Sequence, residues 1–478
     1  MATVKIIDPV TRIEGHLSVQ VTLDAVGGVQ QVTDARASGT LFRGFETILQ
    51  GRPPTDAPHI SERICGVCTV AQGLASVLAL EAASGLTVPD NARIMRNVLN
   101  GADFLHSHIL HFYQLSLLDY MDGPARGPWA PTWSTDKRIT GSAASTLFSH
   151  YQTALDMRRK AHELGALFGG RMPHPPSTVP GGFTTTPRAA RISAAASLAS
   201  ELVSFVQGTY LPDVETVATA YSDYSAVGAG PRNLLAFGVF DLDTAGSSKL
   251  LRRGRAEGGS TSVQSLDVSA ITEAVTYSWY QDASPVGPSA GTTVPSYPKN
   301  TSAYSWLKAP RYSGTVYEVG PLARMWINGS YTRGISVMDR HRARAQEALL
   351  IAQAMQQWIP SLSSSGSVYN QYTVPSSGSG VGLTEAARGA LGHWVSISGS
   401  TLSRYQVVTP TCWNASPRDD KGALGALEQA LVGTPVTNAD EPVEVMRVIH
   451  SFDPCLACAV HVARPGKGAT VTRLGTAC

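Results

Sequence analysis

Two Cys-x-x-Cys pairs hold four of the six cysteines of this 478-residue chain. Cys65 and Cys68 lie in Arg63-Ile64-Cys65-Gly66-Val67-Cys68, and Cys455 and Cys458 in Asp453-Pro454-Cys455-Leu456-Ala457-Cys458-Ala459-Val460-His461. Thiolate sulfur is soft and selects zinc, iron–sulfur, copper(I) or nickel over hard cations. The pairs stand near opposite ends of the chain, so a site closed by both belongs to the whole fold. Taken alone, Cys65-x-x-Cys68 reads equally as a redox dithiol, half a zinc site or another metal site. It falls where a helix is expected to begin, and free N–H groups and the helix dipole favour thiolates there. Arg63 adds positive charge beside it. The distant second pair weighs against a structural zinc held by four cysteines, whose ligand pairs ordinarily lie close in sequence.

The elements that must position these thiols are legible as periodicities. Residues 3–40 alternate as strands do, with Leu17, Val19, Val21 and Leu23 on one face and Gly27-Gly28 as a turn. From Gly66 the period becomes helical: Val67, Val70, Ala71, Leu74, Val77 and Leu78 recur at three and four, and Gly85 is the stop. Pro89-Asp90 opens a second helix with Ile94, Val98, Leu105, Ile109 and Phe112 on one face. Further helices are predicted over 143–168, 189–224, 339–358, 421–433 and 437–450, the last leading into the second cysteine pair. Long helices with short connections predict a central antiparallel bundle. Residues 226–335 read as loops with short strands, and the Ser/Gly-rich stretch 361–381 as a surface loop. The expected fold class is α+β, mainly α: a long central helix bundle with N-terminal β-strands and peripheral loops. It is expected as one domain over 1–461 (1–60 β-rich, 61–225 bundle, 226–335 loop-rich, 336–461 helical with the second pair), followed by a tail at 462–478.

Charged residues make up only 15% of the chain, against 45 Gly and 29 Pro. Such a thin charge layer suggests a surface covered by a partner. A net charge of +2 gives no reason to expect nucleic acid or an anionic membrane surface. Met1 to Asp8 lacks the apolar run of a signal peptide, and no run of about 18 apolar residues predicts a membrane span. The cysteine pairs then read as metal or redox sites rather than disulfides. The expected location is cytoplasmic, with membrane association through partners left open.

The motifs around the cysteines resemble the large, catalytic subunit of nickel–iron hydrogenases over nearly the whole chain. Asp8-Pro9-Val10-Thr11-Arg12-Ile13-Glu14-Gly15-His16 is similar to that family's opening motif, and Arg43-Gly44-Phe45-Glu46 to its next. Gly170-Arg171-Met172-Pro173-His174 with Val179-Pro180-Gly181-Gly182, and Lys308-Ala309-Pro310-Arg311-Tyr312 running on to Glu318-Val319-Gly320-Pro321-Leu322-Ala323-Arg324, are similar to family loops. Glu385-Ala386-Ala387-Arg388-Gly389 and Trp413-Asn414 match as well. Isolated, Glu14, Glu46 and Arg388 would each read as a solvated surface charge; the ordered set of motifs reverses that.

The resemblance implies that Cys65, Cys68, Cys455 and Cys458 bind nickel. Cys68 and Cys458 would also bridge to an iron carrying cyanide and carbon monoxide, an Ni-Fe(CN)2(CO) centre that splits H2 heterolytically and reversibly. It implies that Cys455 accepts a proton and passes it to Glu14. Arg388 would stand over the open position, oriented by Asp453 through a charge-assisted hydrogen bond. A harder ion, Mg2+ or Fe2+, is implied at Glu46, the Val407 carbonyl and the His461 imidazole, with waters completing its shell. Electrons would leave to an iron–sulfur small subunit in a heterodimer or higher oligomer, and H2 uptake is the expected direction.

Departures from the family pattern stand out. Gln72 occupies a position where many members carry His, His106-Ser107-His108 lacks the acidic residue usual between the histidines, and Ala387 replaces a frequent Pro. One carboxylate around Arg388 is therefore expected to be missing. These features resemble an uptake branch with cyanobacterial and actinobacterial members. The tail Val462 to Cys478 resembles the segment that an endopeptidase removes after the maturation proteins insert nickel. Cys412 is expected to be a small buried apolar residue. Alternatives are a branch coupled to a flavin or nicotinamide module, a catalytically silent relative like the quinone-reductase subunit of respiratory complex I, and a structural zinc protein.

Overall fold

Leu17, Val19, Val21 and Leu23 point to one side of a strand, as period two requires, and all four are buried. That strand, β2 (Leu17–Val26), pairs antiparallel with β1 (Thr3–Ile7) and β3 (Val29–Gly39). Gly27 and Gly28 join β2 to β3 at φ 62° and 83°, the pair of positive angles a two-residue hairpin turn demands. The computed structural model describes residues 3–8, 12–13, 15–130, 133–455 and 471–472. Glu14, Cys458 and His461 lie outside the described residues. Val471–Thr472 runs parallel beside β1. About 41% of the chain is helix and 20% strand.

The helical periods become α2 (Thr69–Ser84), after a short α1 (Phe45–Leu49), then α3 (Asp90–Leu110), α4 (Gly141–Gly169) and α5 (Ala189–Phe205). Gly85 ends α2 at φ 67°, the left-handed cap that glycine adopts without a Cβ penalty. Further on come α6 (Pro321–Ile327), α7 (Val337–Trp358) and α8 (Val443–Ser451). α3 packs on α4 and α7, and α5 packs on α4 and α7, so the four form a closed group around a large apolar core. The helical run Ala189–Ala220 is long and apolar enough to cross a membrane by composition, although no unbroken apolar stretch marked it in the sequence. Ala195, Ala199, Leu202 and Phe205 of that run are buried.

The largest difference from expectation lies at 377–408. There the chain forms a three-stranded antiparallel sheet of β4 (Ser377–Ala386), β5 (Gly389–Ser398) and β6 (Thr401–Val408), inside a region expected to be helical. The Ser/Gly stretch read as a loop is in its last residues the start of β4. Gly378, Gly380 and Gly382 share one face of that strand, and α2 lies directly on them. A Cβ on Gly380 would stand 2.1 Å from the Ala79 carbonyl oxygen, and one on Gly382 2.0 Å from that of Ala75. Glycine at every second position lets a helix backbone touch a strand backbone, which holds the helix behind Cys68 against the sheet. Replacing Gly382 with Ala is expected to force the two apart and cost about 1–3 kcal/mol, the usual range for overpacking. A lower thermal midpoint of the purified protein checks it. The helices expected over 421–433 and 437–450 shorten to Ala426–Leu431 and α8.

Candidate metal centre

Cys68 caps α2, and Cys65 precedes it in extended backbone. The Val67 and Cys68 N–H groups donate to the Cys65 sulfur at 3.3 and 3.2 Å, contacts that favour a thiolate. Arg43 donates to the carbonyls of Arg63 and Ile64, fixing the chain just before Cys65. Cys455 follows α8, with its N–H donating to the Thr411 hydroxyl at 3.1 Å. The Cys65 and Cys455 sulfurs stand 3.2 Å apart. With Cys68 they form a group whose sulfurs all lie within 4.8 Å of one another, each residue buried. Three such soft donors brought together from both ends of the chain fit a thiolate-held transition metal.

Arg388 covers this cluster from a hairpin tip. Register pairs Ala386 with Gly389, leaving Ala387 and Arg388 as the two-residue turn between β4 and β5. Gly389 takes φ 140°, and a Cβ there would meet Val319 at 2.5 Å. Arg388 is 2% exposed and pairs with Asp453 at 3.1 Å. A second nitrogen donates to the Ser107 hydroxyl at 3.4 Å. Burial works against the guanidinium charge, but Asp453 and the thiolates of Cys455, Cys68 and Cys65 outweigh it and hold the pKa well above the ordinary range. Arg388 is therefore a fixed cation above the thiols. Asp453 itself sits at φ 56°, a left-handed conformation that turns the chain sharply out of α8 toward Cys455.

Beneath the tip, Arg324 of α6 uses all five of its N–H groups. It grips Glu347 at 2.6 and 2.7 Å, Glu385 at 2.8 Å, and the carbonyls of Ala386 and Ala387 at 3.0 and 2.7 Å. The carbonyls that carry Arg388 are thus held by another, fully buried arginine.

The carboxylate expected to be missing near Arg388 has a replacement. Asp103 lies one helical turn before Ser107 on α3, on the same face. It is fully buried, and burial followed by the charge at Cys65 raises its pKa well above the usual carboxyl range despite Arg388. A neutral carboxyl therefore stands near Cys65 and Arg388. Spacing of i, i+4 from Ser107 was the signal for it in the sequence. Burial also lowers His106 to about 3, so its neutral ring donates from Nε2 to the Val67 carbonyl at 3.1 Å.

Glu46, in the first turn of α1, accepts the Val407 N–H at 2.9 Å and the Thr293 hydroxyl. Lys308 stands 3.5 Å from Glu46 and 3.6 Å from Glu273. Burial raises Glu273 to about 7 against the pull of Lys308. A cavity of about 70 Å³ is bounded by Glu46, Glu273, Lys308, Val407 and Cys412. The Lys308 ammonium thus stands beside both carboxyl groups on the cavity wall. Cys412 is half-buried on this cavity wall, accepting from the Thr409 hydroxyl at 3.2 Å, rather than sealed in an apolar core.

Comparison with known proteins agrees with this geometry. A family profile described as "Nickel-dependent hydrogenase" matches residues 43–125 and 123–461. The chain is 40% identical to the periplasmic [NiFeSe] hydrogenase large subunit of Desulfomicrobium baculatum, over 97% of this chain and 95% of that protein. It is 33% identical to the uptake hydrogenase large subunit of Bradyrhizobium diazoefficiens, over 96% and 95%. The reduced Ni-Fe-Se hydrogenase of D. vulgaris Hildenborough superposes with a TM-score of 0.92 at 42% identity, covering 96% of this chain and 100% of that one. The expected cytoplasmic location is overturned by the first of these relatives, which is a periplasmic protein.

Proposed function

The chain belongs to the nickel-dependent hydrogenase family as a catalytic large subunit acting on H2, and from that premise we propose how its own residues serve the reaction. Cys65, Cys68, Cys455 and Cys458 would hold a nickel–iron centre whose iron would carry cyanide and carbon monoxide. When bound, that centre supplies the acceptor for both electrons of H2. The observation that carries this reading is the buried trio of thiols under Arg388.

The Cys455 sulfur takes the proton released from H2 and passes it to Glu14, which lies outside the described residues. Arg388 presents a guanidinium whose position is fixed at both ends, by Asp453 and by the hairpin that Arg324 grips, so it needs no rearrangement to stabilise charge as H2 polarises. Its burial keeps water from the thiols. Glu46, the Val407 carbonyl and His461 would be the residues to hold Mg2+ or Fe2+, a hard ion suited to oxygen donors. A C-terminal endopeptidase cut after His461 belongs to this reading, since His461 must then reach Glu46. An iron–sulfur small subunit takes the electrons, and uptake of H2 is the direction favoured by the uptake relatives.

The test is an infrared spectrum of the chain co-expressed with its small subunit and maturation proteins. Iron-bound carbonyl and cyanide stretches together with bound nickel support the reading, and nickel without those stretches defeats it. Arg388→Lys keeps the charge but loses the planar fork. H2-dependent dye reduction is expected to fall about 10²–10³-fold, as for loss of a preorganised electrostatic group, with nickel content unchanged by metal analysis.

A further inference from the structure

A cavity of about 320 Å³ lies where the first turn of α8 meets three loops, and none of its lining residues belongs to the metal centre. Asp223, Pro435 and Thr437 frame it from the exposed side, and Tyr224, Thr434 and Glu444 from the buried side. Two of its three carboxylates are already paired. Arg138 donates to Asp136 at 2.7 Å and to Asp223 at 2.6 and 3.0 Å, and Arg447, outside the cavity, donates to Asp136 as well. Glu444 differs. Its Oε1 accepts the Thr437 N–H at 3.0 Å. Its Oε2 and the Thr434 hydroxyl have no hydrogen-bond partner among the described residues, although Glu444 is 5% and Thr434 1% exposed.

A buried carboxylate oxygen left without a partner is costly, and its natural complement is a donor that carries positive charge. A divalent metal fits poorly. Ca2+ takes a shell of many oxygens, and among the described residues only the three thiols bring three such ligand atoms within 4.8 Å of one another. The cavity is also far larger than an ion, and Tyr224, Val227 and Pro435 give it apolar walls. A guanidinium is a planar fork that asks for two acceptors side by side, whereas Glu444 offers one free oxygen. An ammonium on an alkyl chain matches both features. Its head is compact and carries three donors, and its methylenes can lie along the apolar wall.

We propose that this cavity binds a small primary alkylammonium, with its head donating to Glu444 Oε2 and the Thr434 hydroxyl oxygen and its chain against Val227 and Pro435. The site stands apart from the nickel–iron reading: none of its residues would hold the metals, so amine binding and nickel content vary separately.

The experiment is isothermal titration calorimetry of the assembled large and small subunits with n-butylammonium and 1,4-diaminobutane, with n-butanol and Ca2+ as comparison ligands. The parent is compared with Glu444→Gln, Thr434→Val and Val227→Phe. Both amines are expected to bind the parent, and butanol and Ca2+ to give no heat. Glu444→Gln keeps an acceptor for the Thr437 N–H but loses the charge, and should weaken both amines about 10–100-fold, as for loss of a hydrogen bond to a charged group. Val227→Phe fills the cavity from its apolar wall and should abolish binding. Equal amine affinity in the parent and Glu444→Gln would overturn the proposal, as would butanol binding as tightly as butylammonium, or Ca2+ binding in place of the amines. Silence of both amines in the parent, the result if a lysine of the small subunit already filled the cavity, would overturn it too. Should Glu444→Gln fail to assemble, Thr434→Val, which exchanges a hydroxyl for a methyl, decides: unchanged amine affinity there counts against the site.

Discussion

Cys455→Ser is expected to leave the large subunit folded but without nickel, and so without any H2 oxidation. Cys455 is 2% exposed, its sulfur is 3.2 Å from that of Cys65, and its backbone N–H is already committed to Thr411. Serine fits the space and keeps that backbone contact. It offers a harder oxygen that stays protonated, where the site needs a soft anion. It also removes one of the charges that keep Arg388 in place. Metal analysis of the purified variant should show nickel at background, and circular dichroism should match the parent. A variant that keeps full nickel and full activity would mean that the thiol trio is not the metal's binding set.

Arg324→Met is expected to be the most damaging single change away from the thiols. It strands two fully buried carboxyl groups, Glu347 and Glu385, that now share one guanidinium. Removing one partner of a buried pair costs about 3–5 kcal/mol, because the remaining charge loses its compensation. The hairpin carbonyls of Ala386 and Ala387 lose their donors too, so Arg388 loosens and activity falls further than stability alone accounts for. The pH response identifies the mechanism. Burial pushes Glu347 up, but Arg324 outweighs it and holds the carboxyl at about 2 against an ordinary 4.5. A depressed carboxyl contributes stability that is present above its unfolded pKa and lost as pH falls through the folded one. The parent should therefore lose thermal stability between pH 4.5 and about 2 through this group, and Arg324→Met should lack that component. Equal acid sensitivity in both proteins would place the stabilisation elsewhere.

Arg324 also shows where sequence reading reached its limit. The motif ending in Arg324 was visible, but not that its target is the backbone under Arg388. The low charge content suggested a surface hidden by a partner, yet several of the charges are inside: Arg324, Arg340, Arg344 and Arg447 are among the largest fully buried side chains. Composition counts charges without locating them. The helices at Thr69–Ser84, Asp90–Leu110 and Val337–Trp358 were legible because each buries residues at helical spacing against a continuous core. The sheet at 377–408 was not. β5 is buried on nearly its whole length, so it lacks the alternation that marks a half-exposed strand, and the glycines of β4 look like a linker unless the helix that needs them is known.

At the centre itself, Cys65, Cys68, Cys455, Arg388 and Asp453 come together as the motifs implied, while Glu14, Cys458 and His461 lie outside the described residues. The family pattern draws attention to an acid at position 107, whereas Asp103 reaches the same helix face from one turn earlier. Gln72 read as the loss of an imidazole, whereas His393 stands 2.9 Å away on the facing strand. Side chains that converge from distant segments leave no local spacing to read.

The most direct test of the account is isotope exchange. The assembled large and small subunits, loaded with nickel and kept under H2 in D2O, should release HD before D2, because one hydrogen leaves as a proton to solvent while the other is retained. HD formation that disappears in Cys455→Ser is the predicted result. A nickel-loaded parent enzyme that forms no HD would contradict heterolytic cleavage at this thiol-held centre.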